Sequence, residues 1–210
     1  MNIYAISGLG ADERVFNYLA LKGDLIPLQW LKPETNESLE AYALRMAEKI
    51  NQAEPFILLG VSFGGLVAVE ISKVLQPRLT ILISSVETKD ELSTVYRLLG
   101  QTKLVKWIPY PLFDPPRMLA NWIFGAKNKA LLSDILNDTD LKFAKWAVNA
   151  LLTWQNTSKL TTPLLKIGGT SDKLLPPQGD TILIEKGAHF MIVDRAEEIS
   201  QIINRRLEEM

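Results

Sequence analysis

Phe56-Ile57-Leu58-Leu59, then Gly60-Val61-Ser62-Phe63-Gly64, then Gly65-Leu66-Val67-Ala68-Val69-Glu70-Ile71 is the stretch whose reading decides the fold. The first four residues form a short, wholly apolar run, the composition of a strand buried on both faces of a parallel sheet. The last seven continue into a helix that Pro77 ends. A serine on so sharp a strand-to-helix turn is forced into strained backbone geometry, and small residues two before and two after it relieve the crowding. Its hydroxyl then stands clear of the sheet, near the positive end of the following helix.

Outward from this stretch, strand and helix signals alternate. Ile3–Ser7 reads as a strand and Arg14–Leu21 as a short helix. Leu25–Gln29 is a second strand, placed at or near an edge because Pro27 interrupts it. Ser38 opens a helix whose apolar positions Leu39, Tyr42, Ala43, Met46, Ala47 and Ile50 keep helical spacing. Leu79–Ser84 is the strand after the Ser62 helix. Such alternation implies an α/β protein, a mostly parallel sheet with right-handed crossovers and helices on both faces. From about Glu87 to Leu160 no strand signal stands out; four prolines interrupt a helical, aromatic-rich segment that holds Trp107, Trp122, Trp146 and Trp154. The alternation resumes with Pro163–Gly168, Thr181–Glu185 and a last helix carrying Ile199, Ile202, Ile203 and Leu207. The expected organisation is a core of residues 1–86 and 161–210 with residues 87–160 inserted as a helical cap, above the strands' carboxyl ends where open α/β sheets bind ligands.

Composition removes several classes. At 210 residues the chain suits one core. Twenty-three basic and twenty-four acidic residues give a net charge of -1, so no large basic field suggests nucleic acid or an anionic membrane as partner. With no cysteine there is no disulfide, thiolate metal site or cysteine nucleophile. The first residues carry no export signal and no run is long enough to span a membrane, so a cytoplasmic protein is expected.

A serine hydroxyl needs a base to take its proton and an acid to orient that base. The only histidine, His189, stands in Lys186-Gly187-Ala188-His189-Phe190, a loop between the last strand and the final helix. That places it at the same sheet edge as Ser62. Asp172, after the strand Leu164-Leu165-Lys166-Ile167, is the favoured acid. Glu87, after the preceding strand, is the rival and stays open; Asp180 and Asp194 are weaker. Two donors for an oxyanion are assigned to the N–H groups of Phe63 and of Leu9 in Ser7-Gly8-Leu9-Gly10. A dinucleotide fingerprint on that loop is disfavoured, because Glu13 occupies the position of its third glycine.

On these residues the sequence resembles the α/β-hydrolase fold in a compact, esterase-like form. The resemblance rests on the Gly8-Leu9-Gly10 loop, the turn around Ser62, Gly169-Thr170-Ser171-Asp172 and Gly187-Ala188-His189-Phe190. It implies a six-stranded sheet lacking the family's first two strands, and a cofactor-free and metal-free serine hydrolase of a small, apolar carboxylic ester. Ser7 stands where family members often carry histidine. The cap would sit over Ser62, with Gly8, Trp122 and Trp146 expected in the substrate pocket. Lys103, Lys106, Lys127 and Lys129 are read as solvated surface. The same fold also serves lyases, perhydrolases and small-molecule receptors, and oligomeric state is not legible.

Overall fold

The computed structural model describes every residue except 103. Six strands form one sheet: β1 (Asn2–Ile6), β2 (Asp24–Pro27), β3 (Phe56–Val61), β4 (Leu79–Ile83), β5 (Leu164–Gly169) and β6 (Ile182–Ile184). Their order is β2-β1-β3-β4-β5-β6. All five pairings are parallel, so the sheet is wholly rather than mostly parallel. β2 is an edge strand that ends at Pro27, which has no N–H to extend a ladder. The chain leaves β1 for β2 on one side and returns to β3 on the other. The carboxyl ends of β1 and β3 therefore flank the point where the winding reverses, the crevice where such sheets place ligands.

Alternation along each strand divides the core into two layers. Tyr4, Ile6, Phe56, Leu58 and Leu82 face α1 (Leu39–Ala47) and α2 (Phe63–Leu75). Ile3, Ala5, Ile57, Leu59, Val61, Ile81 and Ile83 face the opposite layer. Ser38 caps α1 by accepting from the Ala41 N–H, and Leu39, Tyr42, Ala43, Met46 and Ala47 form its buried side. α2 is buried nearly all round: Leu66, Val67 and Ile71 are inaccessible to solvent, each worth about 2 kcal/mol of transfer free energy. It ends at Leu75 through a left-handed Gln76, ahead of Pro77. The segment read as a helix over 14–21 is a shorter 3-10 helix, Glu13–Tyr18, whose Val15 and Phe16 enter the second layer.

Between β4 and β5 run α3 (Thr94–Thr102), 3-10 helices at Leu104–Trp107 and Tyr110–Phe113, α4 (Arg117–Phe124), α5 (Lys129–Asp138) and α6 (Leu141–Thr153). Asp140 caps α6 by accepting from the Lys142 and Phe143 N–H groups. The segment is seated on the sheet layer by Trp154. Its buried indole N–H donates to Glu70 Oε1 of α2 at 2.8 Å, while Glu70 Oε2 pairs with Lys73 at 2.5 Å. Lys106, Lys127 and Lys129 are exposed; Lys103 lies outside the described residues. The chain closes with α7 (Met191–Asp194) and α8 (Ala196–Glu208), which bury Met191, Ile192, Ile199 and Ile203 in the second layer. Among the described residues no helix is long and apolar enough to cross a membrane.

Candidate active site

Ser62 sits between β3 and α2 with φ 53° and ψ -123°, a conformation that costs a non-glycine residue on the order of 1–3 kcal/mol. Neighbouring contacts hold it there. The Ser62 N–H donates to Ile83 O at 2.9 Å, and Ser62 O accepts from the Gly65 N–H at 2.9 Å and from Ser85 Oγ at 2.7 Å. Gly64 permits the turn to press against β1: a Cβ there would stand 2.1 Å from Ser7 O.

His189 follows β6 in the turn before α7. Its Nε2 is 2.8 Å from Ser62 Oγ, and its Nδ1 is 2.8 Å from Asp172 Oδ2 and 3.0 Å from Oδ1. A carboxylate only accepts, so the ring proton belongs on Nδ1 and Nε2 is left to accept from the serine hydroxyl. Asp172 is itself oriented: Oδ1 accepts from the Leu174 and Leu175 N–H groups, each at 2.9 Å. Its side chain is fully buried and that of His189 is 5% exposed, so bulk water does not compete for the hydrogen bonds between them, while Ser62 is half-buried.

The acid loop and the base loop are registered backbone to backbone. Ser171 N–H donates to Gly187 O at 2.8 Å, Thr170 N–H to Ile184 O at 3.1 Å, and Lys186 N–H to Thr170 Oγ1 at 2.8 Å. Only glycine fits the crossing, since a Cβ on Gly169 would stand 2.2 Å from Gly187 O. Phe124, from the end of α4, meets the His189 ring edge-on at 5.6 Å.

The loop after β1 is tied down by its own contacts. Ala11 N–H donates to Gly8 O at 3.0 Å, Ser7 Oγ donates to Ala11 O at 2.7 Å, and the Trp30 indole N–H reaches Ser7 Oγ at 3.0 Å. The serine at position 7 thus supplies the loop's internal hydrogen bonding. Thr139 Oγ1 donates to Gly10 O at 3.0 Å, joining the α5–α6 connection to the same loop. Beyond it, Asp12 caps the 3-10 helix and pairs with Arg14 at 2.6 Å; that guanidinium holds the Asp12 carboxyl below the usual range. Phe63 is the first residue of α2, so its N–H is one of the four a helix leaves without an internal acceptor.

Gly8, Leu9, Ser62, Phe63 and His189 all line one cavity of about 510 Å³. Its wall is otherwise almost entirely apolar, with Leu99 from α3, Val105, Leu136 from α5, Val148 and Leu151 from α6, and Leu174. The remaining polar wall residues are Tyr96 and Thr102; no charged residue lines it among those described. Burial, and then the nearby charge of Asp172, push the Tyr96 phenol up, which keeps it a neutral donor.

The structure brings Ser62, Asp172, His189, Leu9, Phe63 and Gly8 together and separates the rest. Glu87 is engaged elsewhere, its Oε1 accepting from the Leu160 N–H at 2.7 Å. Asp194 accepts from the Lys127 and Asn128 N–H groups, and Asp180 is exposed. Neither tryptophan expected in the pocket lines this cavity. Trp122 is 63% exposed, with Lys173 Nζ 3.8 Å over its ring. The Trp146 indole N–H needs an acceptor and finds Glu37 O at 3.0 Å, which draws the ring against Tyr42 with centroids 4.4 Å apart. Tyr96, Val148 and Leu174 also line the cavity, and nothing in the sequence marks them for that role. Tyr96 and Val148 carry only ordinary helical spacing in the sequence, and Leu174 lies in the loop after β5, where no periodicity marks it. Among the described residues no cluster of His, Cys, Asp or Glu side chains is arranged to hold a metal ion.

No family model and no curated protein matches the chain. Solved structures do resemble it. A thermophilic esterase from Thermogutta terrifontis superposes with a TM-score of 0.74 at 15% identity, over 100% of this chain and 90% of that one. MenH from S. aureus gives 0.72 at 16% identity, over 100% and 94%. A lipase-esterase related protein from Clostridium acetobutylicum gives 0.70 at 14% identity, over 97% and 93%. With its six parallel strands, strand order and overall superposition, the chain has the α/β-hydrolase fold.

Proposed function

We propose that this protein is a cofactor-independent serine hydrolase of carboxylic esters. The observation that carries the reading is the continuous hydrogen-bonded path from Asp172 through His189 to Ser62, at the wall of an apolar cavity. In this reading Ser62 Oγ attacks the ester carbonyl carbon while His189 Nε2 takes its proton. Asp172 holds the ring with Nδ1–H toward itself and stabilises the imidazolium that forms. The negative charge developing on the carbonyl oxygen is met by the N–H groups of Leu9 and Phe63; removing one such donor costs about 3 kcal/mol of barrier. His189 then protonates the departing alcohol, leaving an acyl group on Ser62. Water, activated by His189, releases the acid and restores the serine.

Residues 87–160 act in this account as a cap, because Tyr96, Leu99, Val105, Leu136, Val148 and Leu151 supply wall to the Ser62 cavity. A cavity of about 510 Å³ is larger than a small ester requires. It lies within the roughly 300–1,000 Å³ of sites that hold drug-sized ligands. We therefore extend the expected small ester to one bearing an aliphatic chain of several carbons. The experiment is turnover of p-nitrophenyl butyrate by the wild-type chain and by Ser62→Ala, with folding checked by circular dichroism. Loss of nearly all turnover in a folded variant is expected. Undiminished turnover would overturn the assignment of the nucleophile.

A further inference from the structure

The near-zero net charge conceals an uneven distribution. Between residues 92 and 133 stand six basic residues, Arg97, Lys103, Lys106, Arg117, Lys127 and Lys129, against one acidic residue, Asp114. Asp114 is already paired with Arg117 at 2.5 Å. Arg97, Lys106, Lys127 and Lys129 are exposed and enter no ion pair among the described residues.

The same stretch brings large apolar side chains to the surface. Among the described residues, ten of the seventeen exposed ones fall between Val95 and Trp122, so the exposure is concentrated rather than scattered. Trp107 is 85% exposed, Met118 86% and Leu112 72%. Val95, Leu98 and Leu99 keep i, i+3, i+4 spacing on α3, and Met118 and Trp122 keep i, i+4 spacing on α4. Each helix thus turns an apolar stripe to water, an arrangement soluble surfaces seldom carry without an interacting partner. Leu99 and Leu104 belong both to this exposed set and to the wall of the Ser62 cavity. The apolar face and the site are therefore continuous.

We propose that the exposed apolar residues of 94–102 and 104–124, with Lys127 and Lys129 following closely in the chain, form one face that docks on an anionic lipid surface and admits apolar ligands from that surface into the Ser62 cavity. Cations with exposed tryptophan and leucine are the combination that seats amphipathic helices at a charged bilayer interface. Indole rings settle at headgroup level, and ligand passing Leu99 and Leu104 meets a cavity wall that has no charged residue among those described. A second copy docked face to face would oppose basic residues to basic residues, which disfavours it. Docking is independent of the hydrolase reading, since it needs neither Ser62 nor His189.

The test is flotation of the full-length chain with phosphatidylcholine vesicles containing phosphatidylserine, and with phosphatidylcholine alone. Binding to the anionic vesicles is expected, with a blue shift of tryptophan emission and weakening as salt rises. Each cation near such a surface is worth about fivefold in partitioning, so Lys127→Gln with Lys129→Gln should weaken binding about thirtyfold at low salt. Trp107→Ser with Met118→Ser should weaken it without changing turnover of a water-soluble ester, because neither residue lines the cavity. Three results would overturn the proposal: no binding by a folded chain, equal and salt-insensitive binding to neutral vesicles, or a dimer whose formation the Trp107 and Met118 changes abolish. Vesicle binding by a chain that hydrolyses no ester would sustain docking while refuting the proposed function.

Discussion

Asp172→Asn separates the orienting role of this side chain from its structural one. Asp172 Oδ1 accepts from the Leu174 and Leu175 N–H groups, and both its oxygens face His189 Nδ1. Asparagine has one oxygen to give. If that oxygen keeps the two backbone donors, the amide NH₂ points at Nδ1, which must then accept. The ring proton moves to Nε2, which faces Ser62 Oγ at 2.8 Å and can no longer take the serine proton. A wrong tautomer of this kind costs about ten-thousandfold in kcat, or about 5 kcal/mol of barrier. The fold should suffer far less, because the backbone donors stay satisfied; exchanging charge-assisted for neutral hydrogen bonds costs about 1–2 kcal/mol. Asp172→Ala instead strands two N–H groups in a buried site and should cost about 3 kcal/mol or more. The assay is p-nitrophenyl ester hydrolysis beside thermal unfolding, with Glu87→Gln as the comparison. Glu87 accepts from the Leu160 N–H, so its amide should lower stability slightly and leave the rate within about twofold. A folded Asp172→Asn enzyme within tenfold of wild type, or a Glu87→Gln enzyme losing about a hundredfold or more, would refute this assignment of the acid.

Three further outcomes follow from the geometry. Gly169→Ala places a Cβ 2.2 Å from Gly187 O, so the acid and base loops must part; kcat should fall at least tenfold and Tm should drop, read by the same two assays. Across p-nitrophenyl esters of rising acyl length, kcat/KM should climb about fourfold per methylene until the apolar cavity is filled, and Val148→Trp should move the maximum to shorter chains. Asp12 has a carboxyl held low by its hydrogen bond to Arg14, so its contribution to stability is present above the ordinary carboxylate range and is lost as pH falls through the lowered value. Asp12→Asn should therefore flatten the acid limb of stability against pH, measured by chemical denaturation.

Much of the fold was legible because strand and turn signals coincide in this chain. Phe56–Leu59 is apolar throughout and opens β3, which runs on to Val61, since a strand between two helical layers needs no polar side. The edge position of β2 followed from Pro27. Ser62, Asp172 and His189 could be named because each follows a strand whose neighbours are small or turn-forming, and parallel strands deliver all such turns to one edge. Gly8 lines the cavity as expected, but the two tryptophans do not. Tryptophan is both the largest apolar side chain and a hydrogen-bond donor, so Trp146 went where Glu37 O and an aromatic cluster could satisfy it, while Trp122 stayed at the surface. The cavity wall instead draws on Val148, Leu151 and Leu136, whose roles depend on how α5 and α6 rotate against the sheet. Helical spacing identifies an apolar stripe without saying which cavity it borders.

Covalent capture of one hydroxyl tests the nucleophile and its base together. Folded protein treated with a fluorophosphonate and read by intact mass and peptide mapping should gain a single adduct, on Ser62. The adduct should form far more slowly in His189→Ala and not at all in Ser62→Ala. A folded chain that takes no label, or takes it at the same rate on other serines and without need of His189, would contradict the claim that these residues form a nucleophile and its base.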